Sequence, residues 1–383
     1  MELPPLELPP EINYVGLFLS FACNLDCVYC INDPAQRGGR SAMTAGPRRE
    51  MPPDHWRHAL GRFPVRDDLP LTFQGGEPLL YWGGRGLGAL LAGTSHRFDL
   101  LTNLALPPER MARCLDGTVA PLKREAPYPT VRVSYHPAEM DRLWGNGIET
   151  LLGRCEALAD LGFTVTPDKA SSDVGLYLVA HPDNTPYEEP ARRAAAGRVP
   201  FETKAFLGRH NGRTYGTYLY PFSTDLIEGG YAGTPLSCRC RTTEILVDPL
   251  GFVWPCHLYL YETWLNGAPS AAYAAAEARD FRMDETVTQQ LPHPPAGHIL
   301  DPAFTTAAVR TFHVCHQYGR CVGCDTKVKN DRFQSLDDHA RPHTSVEIRD
   351  IRMPARLFEQ LPEAERYGLE AAGVVSPDDD AVA

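Results

Sequence analysis

Short apolar runs separated by amphipathic stretches fill the first half of the chain. Tyr14–Phe21 (YVGLFLSF) reads as a strand buried on both faces. Further runs at Leu69–Gln74, Phe98–Thr102, Val131–Tyr135, Gly175–Ala180 and Phe201–Phe206 predict five more strands. Between them the spacing predicts helices. One starts at Asp54 as N-cap and runs to Phe63, one covers Leu80–Leu91, and one opens with Pro107 and Pro108, where proline suits a first turn. Another covers Gly147–Leu161, where Ile148, Leu151, Leu152, Cys155, Leu158 and Leu161 recur at helical spacing, and a last one covers Tyr187–Ala196. Strand–helix alternation of this kind predicts parallel pairing with right-handed crossovers. Six repeats fit a partial (β/α)6 barrel over residues 14–207 better than a closed eightfold one, with residues 1–13 as an N-terminal extension.

The rhythm breaks after Leu207. Residues 208–235 are rich in Gly, Tyr and Arg and read as a linker. Thr243–Trp254 predicts a β-hairpin turning at Asp248-Pro249-Leu250-Gly251. It falls within a small cysteine-rich unit assigned to 236–331, which also holds an alanine-rich helix near Ala271–Arg279. An extension, 332–383, is expected to carry a helix at Ala355–Ala372 and an acidic tail.

Composition narrows the function classes. With 43% hydrophobic and 22% charged residues, the 383-residue chain is globular in type. The 32 glycines and 35 prolines favour turns over a helical bundle. A formal net charge of −11 argues against a nucleic-acid or anionic-membrane surface. No apolar run reaches the roughly 18 residues needed to span a bilayer, and MELPPLELPPEINYVG has no signal-peptide pattern. A cytoplasmic location is expected. There the eleven cysteines stay reduced, so their clustering points to metal or redox chemistry rather than disulfides.

Cys23, Cys27 and Cys30 place three thiols within eight residues, directly after the first strand. A C-x3-C-x2-C loop can ligate three irons of one [4Fe–4S] cube and leave the fourth open. A structural zinc site wants a fourth ligand, which the triad lacks, although zinc and three reduced core thiols remain the competing readings. Gln74-Gly75-Gly76-Glu77-Pro78 follows the second strand, at the end of a barrel where ligands collect. Alone it is a turn. Together the two motifs resemble the signature of the radical S-adenosylmethionine (SAM) superfamily. That resemblance implies a TIM-like partial barrel, a SAM-binding [4Fe–4S] cluster on Cys23, Cys27 and Cys30, and SAM on the open iron. It also implies that Gly75, Gly76 and Glu77 hold the SAM amine, that Tyr29 lies beside the adenine, and that Thr102, Asn103 and Ser134 contact ribose or carboxylate. Polar capping of strand ends is an equal reading for the last three. His136, two residues beyond Ser134, is either substrate-facing or structural.

The C-terminal cysteines need a separate account. Cys240 and Cys256 bracket the hairpin, and Cys321 and Cys324 stand in C-x2-C spacing. The pattern resembles the opening half of the SPASM/twitch extension that follows many radical SAM barrels, and implies one auxiliary [4Fe–4S] cluster on Cys240, Cys256, Cys321 and Cys324. Cys238 and Cys315 are then spare; His257, His313 and His316 are chemically able to substitute. Six cysteines are too few for two fully ligated clusters. A zinc ribbon on the same residues is the competing reading. Cys114 and Cys155 read as core residues.

The resemblance implies reductive cleavage of SAM to a 5′-deoxyadenosyl radical that abstracts hydrogen from a substrate C–H. The partners it implies are a flavodoxin- or ferredoxin-type low-potential electron donor and a peptide or small-molecule substrate. Only 22 residues precede Cys23, so modification of a ribosomal peptide is expected to need a separate leader-peptide-binding protein or direct recognition. A dehydrogenase or rearrangement enzyme acting on a sugar or amino acid is the second reading. A zinc-stapled interaction module without turnover is the third.

Overall fold

A computed structural model of the chain describes residues 3–9, 12, 14–30, 50–66, 69–206, 208–211, 213–215, 238–241, 244–265, 269–291, 293–306, 309, 312–315, 351–354 and 375–376. Its first half is built on β1 (Tyr14–Ser20), β2 (Leu71–Gly75), β3 (Phe98–Thr102), β4 (Val131–Tyr135), β5 (Val174–Ala180) and β6 (Phe201–Ala205). These strands are hydrogen-bonded in sequence order, and every pair is parallel. Each lies on an expected apolar run; β1 is buried at every position, as a strand covered on both faces must be.

Crossover helices span Pro53–Leu60, Pro108–Leu115, Gly147–Ala157 and Thr185–Ala195. The third buries Leu151, Leu152 and Cys155, the stripe its spacing predicts, and Asn146 caps it by accepting the Glu149 amide. Two local departures have chemical causes. The helix expected over Leu80–Leu91 is broken, because Trp82, Gly83 and Gly84 all take positive φ, and only Gly86–Leu91 continues. A further helix, Pro137–Trp144, follows β4 with proline in its first turn.

Beyond β6, β7 (Gly208–His210) and β8 (Arg213–Tyr215) pair as a small ribbon within the expected linker. The later strands are β9 (Cys238–Arg241), β10 (Glu244–Val247), β11 (Phe252–Trp254), β12 (Gly297–His298), β13 (Phe312–Cys315), β14 (Ile351–Pro354) and β15 (Val375–Ser376). β10 and β11 make the expected antiparallel hairpin. Its turn is built on buried Asp248, whose carboxylate accepts the Leu250 and Phe252 amides and the indole N–H groups of Trp254 and Trp264. Gly251 supplies the positive φ of 90°.

The hairpin is joined to the large sheet. β10 pairs in parallel with β1, from Tyr14 opposite Glu244 to Leu17 opposite Val247. The sheet therefore runs β12-β11-β10-β1-β2-β3-β4-β5-β6. Gly16 makes room for this partner, since a Cβ there would lie 2.9 Å from Leu246 Cδ2. Helix His257–Leu265 follows, packing the His257 and Tyr261 rings on Phe18 and Trp264 on Phe21. The alanine-rich helix covers Pro269–Glu277. β13, β9, β14 and β15 form a separate sheet. The helix expected at 355–372 and the acidic tail lie outside the described residues.

Two buried arginines fasten distant segments. Arg62 donates to the carbonyls of Pro4, Ile299, Asp301 and Phe304. Arg132, near the start of β4, meets Asp99 near the start of β3 at 3.3 Å, with Tyr128 and Arg124 on the same carboxylate. That buried charge cluster lies toward the amino ends of the strands and leaves their carboxyl ends for the site described next.

Candidate functional site

The chain leaves β1 at Ser20 and enters the cysteine loop. Ser20 Oγ accepts the Ala22 amide at 2.9 Å and donates to the Glu50 carboxylate, which starts the turn. The end of β2 docks directly beneath. The Gly76 amide donates to Ser20 O at 2.8 Å, and the Glu77 amide to Ala22 O at 2.7 Å. This approach explains both glycines. A Cβ on Gly75 would lie 2.1 Å from Ser20 O, and one on Gly76 would lie 2.4 Å from Ala22 O. No other residue type lets the two backbones come this close.

Glu77 has no exposed surface. One carboxylate oxygen accepts the Leu79 amide at 3.0 Å and the Thr102 hydroxyl at 2.7 Å; the other accepts the Asn103 amide at 2.7 Å. Burial nevertheless outweighs these bonds and pushes the carboxyl up to about 7. Asn103 continues the chain of contacts: its Nδ2 lies 3.5 Å from Cys23 Sγ and 2.9 Å from Asn24 Oδ1. Asn24 in turn donates to Ala105 O. Thr102 and Asn103 thus tie the Gly-Gly-Glu segment to the cysteine loop.

Cys23, Cys27 and Cys30 share one microenvironment. Burial pushes the Cys23 thiol up to about 12, with the nearby Cys30 and Glu77 charges adding to it. The Cys27 thiol is likewise pushed well up, by burial first and then by Cys30 and Cys23. A positive centre among the three sulfurs would offset the burial and mutual repulsion that hold Cys23 and Cys27 as thiols. The Leu25 amide, 3.5 Å from Cys23 Sγ, and the Asn103 amide supply the N–H donors that such sulfurs accept. The loop is tied to β4's following helix where the Asp26 amide donates to Glu139. This donor set fits a [4Fe–4S] cluster with three thiolate ligands.

Tyr29 is buried beside this loop, between the ends of β4 and β5. Its hydroxyl lies 3.2 Å from His136 Nδ1, and its ring stacks on His181 at 4.9 Å. Asn184 also hydrogen-bonds the phenol. Burial holds both imidazoles down to about 4, so they are neutral at pH 7. Ser134 lies half-buried on β4, in register with Tyr177 of β5. The expected residues Cys23, Cys27, Cys30, Gly75, Gly76, Glu77, Thr102 and Asn103 are brought together directly, and Tyr29 borders them. Glu50, Asn24, Glu139, His181 and Asn184 escaped sequence reasoning. Of these, only His181 carried a signal, since it directly follows a predicted strand as His136 does.

The C-terminal cysteines are partly visible. Cys256 is buried directly after β11, and its neighbour His257 makes a buried 3.0 Å contact with Glu244. Antiparallel pairing of β9 and β13 sets Cys238 opposite Cys315 and Cys240 opposite His313. Cys321, Cys324 and His316 lie outside the described residues.

Among the described residues, no helix is long and apolar enough to cross a membrane. No protein-family model matches the chain, and no curated protein matches it. Solved structures of similar shape include Streptococcus suis SuiB bound to precursor peptide SuiA, at 12% identity and a TM-score of 0.39, covering 73% of this chain and 69% of that one. They also include anSMEcpe with bound AdoMet and Cp18Cys peptide, at 14% identity and a TM-score of 0.37, covering 65% of this chain and 76% of that one.

Proposed function

We propose that the chain is a radical SAM enzyme acting on a peptide, with its cysteine loop holding the SAM-binding cluster. The observation that carries this reading is the docking of three clustered thiols onto the Gly75-Gly76-Glu77 segment through Thr102 and Asn103. A bound [4Fe–4S] cluster and SAM supply one-electron reductive cleavage and hydrogen abstraction.

The chain's own residues do the remaining work. Cys23, Cys27 and Cys30 would provide three thiolates to the cluster, and the iron they do not ligate would be available to SAM. Gly75 and Gly76 let β2 dock against the cysteine loop, and Glu77 fixes the rim through Thr102 and Asn103. Tyr29, packed between neutral imidazoles, would border the adenine with its edge, and Ser134 offers a hydroxyl on β4. A partial barrel over 14–207 with its mouth at the strand ends excludes water from the reacting C–H. Cys240, Cys256, Cys321 and Cys324 would hold one auxiliary cluster in the 236–331 unit, which would supply an electron acceptor for the substrate, an electron relay or a structural clamp. A flavodoxin or ferredoxin in the cytoplasm supplies the first electron, and a separate protein presents the leader peptide. Modification of a small metabolite is the alternative.

Anaerobic reconstitution followed by iron, sulfide and SAM-cleavage assays tests the reading. About eight irons per chain and dithionite-driven SAM cleavage are expected. Cys→Ala changes at 23, 27 and 30 should abolish cleavage and keep only the auxiliary cluster. Stoichiometric zinc with no cleavage would instead identify a zinc-stapled module.

A further inference from the structure

Three ligand-type side chains converge on the rim beyond β5, one of them the His181 that stacks on Tyr29. His181 follows β5, Asp183 lies in the adjoining turn Pro182–Asn184, and His210 ends β7. Their donor atoms all lie within 4.8 Å of one another. His181 Nδ1 is 3.6 Å from one Asp183 carboxylate oxygen, and His210 Nε2 is 3.6 Å from the other. Two ligands about 2.0–2.2 Å from a tetrahedral zinc ion lie about 3.3–3.5 Å apart, so these separations need little adjustment.

The protonation pattern points the same way. His181 Nδ1 accepts the Asp183 backbone amide at 3.2 Å, and His210 Nε2 lies 2.9 Å from the Asn211 side-chain nitrogen, a group that can only donate. In those tautomers each ring nitrogen is an acceptor on the side of Asp183, and a metal ion would take the place of the N–H donor. The His181 ring is already fixed, stacked on Tyr29 with the edges of Phe206 and His210 against it. Asp183 is 59% exposed, which gives an ion a way in.

We propose that His181, Asp183 and His210 form a binding site for a divalent first-row metal ion of the zinc type, with an open coordination position toward solvent. Two imidazoles and one carboxylate without sulfur suit such an ion. The site adjoins the cysteine loop through the His181–Tyr29 stack but uses no thiolate, and it does not depend on the radical SAM reading.

The test uses the full chain with its iron–sulfur clusters in place, given one equivalent of Zn2+ and then desalted. About one zinc per chain is expected, with a zinc-edge X-ray absorption first shell of nitrogen and oxygen near 2.0 Å. His210→Ala and Asp183→Asn should each weaken zinc binding at least tenfold while iron and sulfide content is unchanged, which also reports that the variants are folded. Absence of retained zinc, sulfur scattering near 2.3 Å, or equal retention by the variants would overturn the site.

Discussion

Glu77 shows how one residue can serve a fold and a site at once. A carboxylate without exposed surface is costly unless hydrogen bonds compensate, and here three donors do so only in part. Its pKa of about 7 in the folded chain exceeds its ordinary 4.5. The folded state therefore binds this proton more tightly than the unfolded state. Stability present below about pH 4.5 is lost as the pH rises through about 7, by about 3 kcal/mol for this group. Urea unfolding of the wild type and Glu77→Gln at several pH values between 4.5 and 8 should show this loss only in the wild type. Equal pH dependence in both would refute the assignment. The sequence exposed Glu77 as a candidate because it adjoins two glycines at a strand end. It did not show that Thr102 and Asn103, read separately at the end of another strand, would be its partners.

At the scale of elements, the glycines divide into those that permit a close approach and those that merely cost order. Gly76 belongs to the first kind. Gly76→Ala places a methyl group 2.4 Å from Ala22 O and 2.6 Å from Phe21 O, so β2 must part from the cysteine loop. A loss of about 1–3 kcal/mol is expected, accompanied by reduced iron uptake at the N-terminal loop. Gly153 is of the second kind: it is exposed within helix Gly147–Ala157, and a Cβ there meets nothing within 4 Å. Gly153→Ala should raise stability by about 0.5–1 kcal/mol, read as a higher urea midpoint with unchanged iron content. The strands were legible because buried parallel strands are continuous apolar runs. The broken helix at Trp82–Gly84 was not, because a helical apolar pattern persists across residues whose backbone turns left-handed.

At the scale of the molecule, closure depends on contacts far apart in the chain. Arg62 joins residues near 4 to residues 299–304 through four carbonyls. Arg62→Ala strands those acceptors in the interior and should cost about 3 kcal/mol or more, measured by chemical unfolding. A change below about 1 kcal/mol would mean that the segments are held by other contacts. The pairing of β10 with β1 is of the same long-range kind, and it carries a hairpin that the sequence assigned to a later unit into the main sheet.

The sequence by itself determined the order of the six parallel strands, the hairpin and the clustering of three thiols with a Gly-Gly-Glu turn. Each of these is written in local periodicity or in short spacing. Only the tertiary structure decided that β10 borders β1, that Glu77 is caged by Thr102 and Asn103, and that His181, Asp183 and His210 converge. Those outcomes depend on which strand ends become neighbours and on how deeply a polar group is buried. Neither is encoded within a single segment; both arise when the whole sheet closes around its core.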